Sequence, residues 1–382
     1  MPNQATENDP LVVKPTESDI ETPSVWEDVQ DNVRLGVPIF LAMLSWVGMK
    51  TTDSALLGHV SAESLAASSL SDLWTMCTAV FIQARVLGVL CGAAVGAGNP
   101  KLAGIYLQVS YFVLSFIVVF IFVAWNVTEQ VWLAFGSDPK ISHMAGYYAQ
   151  VLSWSLPGQL AFAQLSQFFS SQRIMHPEVN AASVAMICNL VFGLIFVLGI
   201  PIPNWDGFGF AACPIVTMAM VYVQLFVVGF FYIYIQRLHE PCWGGWSWKE
   251  ITRERIATFS DLYFPAAFGM ASDFWRVAVI GAIAAKLGES HVAVFNTSYR
   301  IMWICLIVVS ALSTAAGINT SQRLGKMDDM GAKQAGEVGI GLSAVFLLFV
   351  GGFVVAKIRW LGLIFTQDEE FLALFEEASD KE

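Results

Sequence analysis

Six stretches of this sequence run without a single Asp, Glu, Lys or Arg: 102–128, 141–172, 179–205, 207–236, 301–322 and 338–356. No other feature constrains the fold as tightly. Soluble domains are about 25% charged residues overall, which leaves little room for repeated uncharged runs of this length. A bilayer core about 30 Å thick takes roughly 20 apolar residues per helix, and each stretch supplies one helix. Three further apolar stretches, interrupted by charges, lie at about 33–57, 65–95 and 258–286. Nine spans are therefore predicted, at about 33–57, 65–95, 102–126, 145–172, 178–200, 208–236, 258–286, 290–317 and 332–356. A β-barrel would show short alternating segments instead. The fold class is an all-α polytopic membrane protein.

Charge narrows the function classes. Only 13% of the 382 residues are charged, and the formal net charge is −11. Eight acids fall in residues 1–31 and seven in residues 368–382, so the acidity belongs largely to the two ends. This balance excludes a soluble α/β enzyme. It also excludes a nucleic-acid binder, which needs a basic face, and a single-pass receptor. Residues 1–32 read as a disordered acidic tail, with no basic region and short apolar core of a cleavable signal ahead of them. Lys and Arg in the loops number eleven on the N-terminal side and four on the other, which predicts a cytoplasmic N-terminus.

The six cysteines form no Cys-x-x-Cys and read as small buried apolar residues. All five histidines fall at helix ends or loops, which argues against a metal site or histidine catalysis within the spans, and no cofactor is expected. Asn126-Val127-Thr128 is a glycosylation sequon placed very close to the membrane.

Residues 37–74 can be laid on 264–301 without a gap, pairing Pro38 with Pro265, Met43 with Met270, Ser45 with Ser272, Ala55 with Ala282, Ala66 with Ala293 and Ser71 with Ser298. Repeats of this kind are typical of secondary transporters, whose substrate site lies between the halves. Ionisable residues within the spans follow the repeat: Lys50, Asp53, Asp72 and Arg85 in the first helix pair, Asp273, Arg276 and Arg300 in the second. A charge at the bilayer centre costs at least ~2.5 kcal/mol, so such residues normally face a cavity. The plain alternative is neutralised pairing. Asp53 follows Lys50 by three residues and Asp273 precedes Arg276 by three, and neighbours at that spacing share a helix face.

Several motifs together carry a family resemblance running from about residue 34 to 370. They are Thr52-Asp53-Ser54-Ala55 with Leu57-Gly58-His59-Val60 and Leu65-Ala66-Ala67, then Leu90 through Pro100 with Ala93 where Gln is usual. Tyr148 through Pro157 and Ser171 through Pro177 follow, then Pro265 with Asp273-Phe274-Trp275, and Ser321-Gln322-Arg323-Leu324-Gly325 with Ala332-Lys333. The chain resembles the multidrug and toxic compound extrusion (MATE) transporters, with the acid-x-Trp of the eukaryotic branch.

The resemblance implies two pseudo-symmetric helical lobes around a central cavity: an N-lobe over 33–236, an inter-lobe loop over 237–257, an incomplete C-lobe of about three helices over 258–367 and an acidic tail over 368–382. It implies antiport of a small organic solute against H⁺ or Na⁺, in a plasma or vacuolar membrane, and no enzyme activity. Asp53 takes the N-lobe coupling role, with Asn189 and Thr217 lining the same lobe. Asp273 takes the C-lobe role, and Trp275 beside it would stack on a flat or cationic solute. Lys50 and Arg276 complete the expected cavity. Gly193, four residues after Asn189, stands where the bacterial branch often has Asp. The resemblance also implies three more helices after residue 367, so a truncated fragment or a partner supplying helices is expected as one alternative. A flippase for lipid-linked substrates, with a cationic cavity, is another.

Overall fold

The computed structural model describes residues 24–287 and 289–356, with side chains described except at 282, 284–287, 289–297, 300, 301, 304 and 355. Among the described residues every regular element is helical. In chain order they are α1 (Val25–Val60), α2 (Ala62–Gln83), α3 (Val86–Gly96), α4 (Pro100–Asn126), α5 (Thr128–Ala134), α6 (Pro139–Ser153), α7 (Leu156–Ser170), α8 (His176–Phe196), α9 (Ala212–Val227), α10 (Arg253–Leu287), α11 (Glu289–Gly325) and α12 (Asp329–Ala356). A π-helical turn, Val228–Ile235, extends α9.

Local chemistry sets the helix starts. Ser24 and Glu27 form a capping box: Ser24 Oγ accepts from the Glu27 N–H at 3.3 Å, and the Glu27 carboxylate accepts from the Ser24 N–H at 2.9 Å. The helix therefore begins at Val25, and residues 25–32, expected in a disordered tail, are its first two turns. Asp138 caps α6 by accepting from the N–H groups of Lys140 and Ile141. Pro100, Pro139 and Pro177 sit in first turns, where a missing N–H leaves nothing unpaired.

Two expected spans are broken. The one over 145–172 divides at Trp154 and Ser155 into α6 and α7. Side chains take up the freed groups there: Ser155 Oγ donates to the Leu152 carbonyl at 2.6 Å, and Gln159 Nε2 donates to Ser155 Oγ at 2.8 Å. The one over 65–95 divides at Ala84 and Arg85. The Gln167 amide of α7 spans that break, donating to the Ala84 carbonyl at 3.4 Å and accepting from the Gly88 N–H at 3.2 Å. In a membrane such repair is obligatory, because no lipid group can satisfy a bare backbone.

The largest buried cluster joins side chains of α1 to α4 and α6 to α9 with Phe259, Tyr263 and Ala267 of α10. A second, smaller cluster joins Leu35 and Ile39 of α1 to Ala311, Ala315 and Ile318 of α11. Where α3 meets α11 the backbones touch: a Cβ on Gly96 would stand 1.9 Å from the Gln322 carbonyl oxygen, so only glycine fits. Outward-facing Phe116, Phe120 and Val123 of α4 and Val345, Leu348 and Phe349 of α12 are exposed. Apolar faces of this kind are at home against lipid.

Among the described residues seven helical segments are long and apolar enough to cross a membrane. The chain is an integral, multi-pass, all-helical membrane protein. Helix α10 packs on the cluster shared by α1 to α4 and α6 to α9, and α11 packs on α1.

Candidate functional site

Asp53 lies in α1 facing the interior of the first lobe and is 3% exposed. Among the described residues no cation forms an ion pair with its carboxylate. Instead Asn189 of α8 donates from Nδ2 to Oδ1 at 2.9 Å, and Thr217 of α9 donates from Oγ1 to Oδ2 at 2.8 Å. Three helices thus meet on one carboxyl. Met49, Ala185 and Met220, all buried, form an apolar cluster from the same three helices.

Each donor has a second acceptor. Asn189 Nδ2 also reaches the Met49 carbonyl at 3.4 Å, while its Oδ1 is buried and has no partner. Thr217 Oγ1 lies 3.1 Å from the Cys213 carbonyl, one turn back on its own helix. A hydroxyl has a single hydrogen and rotates freely. Facing an ionised Asp53, Thr217 donates to the carboxylate. Facing a protonated one, it can turn its hydrogen to Cys213 and accept the Asp53 proton in a hydrogen bond. The same three groups satisfy both charge states without moving a heavy atom.

Lys50 does not neutralise Asp53, although the two lie three residues apart. Its ammonium donates to Asp72 Oδ1 of α2 at 2.7 Å, and both side chains are about one-fifth exposed. The i,i+3 pair suggested by spacing is replaced by a pair across two helices. Nearby, the Tyr148 hydroxyl and the Cys213 thiol stand 3.8 Å apart.

Gly193, one turn beyond Asn189, leaves a space that Leu56 fills: a Cβ there would stand 2.3 Å from Leu56 Cδ1. Among the described residues no second carboxylate approaches Asp53 from that direction.

The second-lobe candidates stand apart. Asp273 and Arg276 pair at 3.4 Å on α10, but their side chains are 75% and 68% exposed. Trp275 is half-exposed and its ring centroid lies 6.4 Å from that of Phe81 on α2. These three residues are not joined to the buried Asp53 cluster. Arg300 lies outside the described side chains.

Two charged clusters were not anticipated. Arg85, at the break between α2 and α3, pairs with Glu178 of α8 at 3.1 Å. At the N-terminal end of the bundle, Arg323 of α11 makes a bidentate pair with the buried Asp28 of α1 and donates to the Gly331 carbonyl at 2.7 Å. Beside it Arg173 donates to Asp31, Asn319 and Gln322. These contacts clamp α1 and the α7–α8 connection to α11 and α12. The capping box at Ser24 was the available signal that Asp28 is helical. Its partner 295 residues away carries no sequence signal.

The six cysteines are unpaired. Among the described residues no group of three or more His, Cys, Asp or Glu is placed to hold a metal ion.

Comparison with known proteins decides the family. Residues 38–195 and 265–379 match the MatE family model. The chain belongs to the MatE family. It is 26% identical to "Multidrug and toxin extrusion protein 1" of Xenopus tropicalis, over 92% of this chain and 60% of that protein. To "Protein DETOXIFICATION 18" of Arabidopsis thaliana it is 26% identical, over 88% of this chain and 71% of that one. The chain thus spans only about three-fifths of the Xenopus protein's length. Among solved structures, the eukaryotic MATE transporter AtDTX14 superposes with a TM-score of 0.84 at 17% identity, covering 93% of this chain and 78% of that chain. A MOP superfamily transporter from Pyrococcus furiosus superposes at 0.71, covering 94% and 80%. At such identities the superpositions establish the fold, which is that of the MATE transporters.

Proposed function

We propose that this MatE chain exports small organic solutes in exchange for a cation, and that the cation is H⁺, taken up and released by Asp53. The reading rests on one observation: a buried carboxyl held by Asn189 and Thr217, neither of them charged. A carboxylate fixed by a guanidinium would stay ionised. One held by neutral donors, with a hydroxyl that can reverse, tolerates gain and loss of a proton. Na⁺ would require several oxygen ligands, whereas Asn189 turns its N–H to Asp53 and Leu56 occupies the ground beside Gly193.

The cycle follows from competition for one state. With Asp53 ionised, the buried site among α1, α8 and α9 carries a negative charge that favours a cationic solute. Protonation removes that charge and the solute leaves. Coupling needs this difference in affinity, not proximity alone. Trp275 and Phe81, at the contact of α10 with α2, supply aromatic faces for a flat solute, and on α10 Asp273 lies two residues before Trp275 and Arg276 directly after it. We assign 33–236 to the N-lobe, 237–257 to the inter-lobe loop and 258–367 to the second lobe. The N-terminus is placed in the cytoplasm on the Lys and Arg count. A lipid-linked anion would call for a surplus of free cations. Lys50, Arg85 and Arg276 are each paired with an acid, which favours the organic-cation reading.

The test is solute movement in vesicles carrying the chain, driven in turn by a pH gradient and by a Na⁺ gradient. Movement driven by H⁺ alone supports the reading. Movement driven by Na⁺ alone overturns the choice of ion.

A further inference from the structure

The Lys50–Asp72 pair is unexplained by the cycle above. It is a partly buried ion pair within the spans, beside a carboxyl that must change charge. Lys50 shares the α1 face of Asp53, three residues before it, yet its ammonium is engaged by Asp72 at 2.7 Å. Asp53 is sealed from solvent, whereas Lys50 and Asp72 are each about one-fifth exposed. The pair is therefore more open than the sealed carboxyl beside it.

The other groups facing Asp53 are few. Tyr148 of α6 and Cys213 of α9 are the remaining titratable side chains in electrostatic contact with it. The α8 helix presents Asn189, which does not titrate, and the turn Gly209–Ala211 against α1 carries no titratable residue. Helices α11 and α12 meet the N-terminal half of α1, where Arg323 and Gln334 engage Asp28. Lys50 is thus the one cation, among the described residues, near enough to respond to the charge of Asp53.

We propose that Lys50 is a positioning residue shared by two carboxylates, held by Asp72 while Asp53 is protonated and drawn toward Asp53 when its proton leaves. The inference rests on Asp53 being the coupling acid. In the step, the O–H bond of Asp53 breaks and the proton passes to a water molecule that reaches the carboxyl when the site opens. Lys50 keeps its three hydrogens throughout and changes only its partner. The lysine stem has four rotatable bonds, which suits a charge that must pass between two fixed acids. Net charge over Asp53, Lys50 and Asp72 alternates between zero and −1, so one proton exchanges for one positive charge on the solute.

The charge arithmetic gives opposite signs for two substitutions. In Lys50→Gln, Asp72 is left as an unpaired anion beside Asp53, and the proton is held to higher pH. In Asp72→Asn, Lys50 is free to serve Asp53 alone, and the proton leaves at lower pH. Removing both charges together cancels most of the change. The measurement is the pH titration of the protonated-carboxyl infrared band of the chain in lipid vesicles. Each variant is read as a difference against the same variant carrying Asp53→Asn, which isolates the Asp53 contribution.

The expected result is a midpoint raised by about one pH unit or more in Lys50→Gln, lowered by a similar amount in Asp72→Asn, and close to the parent in the double variant. Midpoints unmoved in both single variants, or moved in the same direction, overturn the shared-lysine assignment. A double variant displaced as far as either single one points to packing instead of charge and overturns it too. The double variant leaves no unpaired charge, so it also serves where a single variant fails to fold. Titration intact without gradient-driven export would defeat the proposed function and leave this inference standing. A band indifferent to Asp53→Asn would defeat both.

Discussion

Thr217 Oγ1 stands 2.8 Å from Asp53 Oδ2 and 3.1 Å from the carbonyl oxygen of Cys213, with one hydrogen to give to either. That relationship makes Thr217 a rotor between two charge states of its neighbour. Thr217→Val keeps the shape and removes the hydroxyl. A hydrogen bond to a charged group is worth roughly 1.5–3 kcal/mol, so gradient-driven export is expected to fall about tenfold or more. Thr217→Ser should retain most of it. Initial rates of solute movement in vesicles compare the two, and equal loss in both would mean that the methyl group, not the hydroxyl, matters.

Asn189 supplies the other donor to Asp53. Asn189→Leu buries the carboxyl beside an apolar group and favours its protonated form, so solute affinity should weaken most between the parent and variant midpoints, where the parent is ionised and the variant still protonated. Asn189→Asp places two carboxyls together, which then share a proton. Solute binding measured from pH 5 to pH 9 checks both, and a pH-independent loss would argue for a purely structural role.

Gly193 is a packing constraint set by Leu56. Gly193→Asp drives a side chain to within 2.3 Å of Leu56 Cδ1 at its first atom, so the chain should lose thermal stability. Leu56→Ala in the same chain opens the space and should restore part of it. If Gly193→Asp alone melts at the parent temperature, Leu56 is not the obstacle described.

Arg323 and Asp28 form a buried bidentate pair tying α11 to α1. Breaking one partner of a buried pair costs about 3–5 kcal/mol. Arg323→Gln is expected to lower the melting midpoint of the purified chain clearly, and Arg323→Gln with Asp28→Asn to lower it less. If the single variant matches the parent, the pair contributes nothing to holding the lobes together.

How far the sequence carried can be judged from particular residues. Five of the six charge-free runs fall on helices long and apolar enough to cross a membrane, because hydrocarbon excludes charge and that constraint is local, while the run 141–172 falls on the broken pair α6 and α7. The breaks at Trp154 and Arg85 were harder to see. No charge marks the first, the charge of Arg85 does not by itself announce the second, and the repair comes from Ser155, Gln159 and Gln167. Asn189 and Thr217 were reachable through the family resemblance, not from spacing, because their meeting with Asp53 depends on how α8 and α9 pack on α1. Lys50 shows the limit of local rules. Its neighbour at i+3 was the natural partner on one helix, but Asp72, 22 residues away, offered a direct contact across two. The early start of α1 was legible in Ser24 and Glu27, a capping box overlooked because the acidic segment before it reads as tail.

The most direct measurement is export of a fluorescent organic cation by vesicle-borne chain under an imposed pH gradient, comparing the parent with Asp53→Asn. The account predicts gradient-driven accumulation by the parent. In Asp53→Asn it predicts loss of the gradient's effect in a chain that inserts and melts normally. Accumulation that still follows the pH gradient in Asp53→Asn would contradict it, and would move the coupling to another acid of the chain.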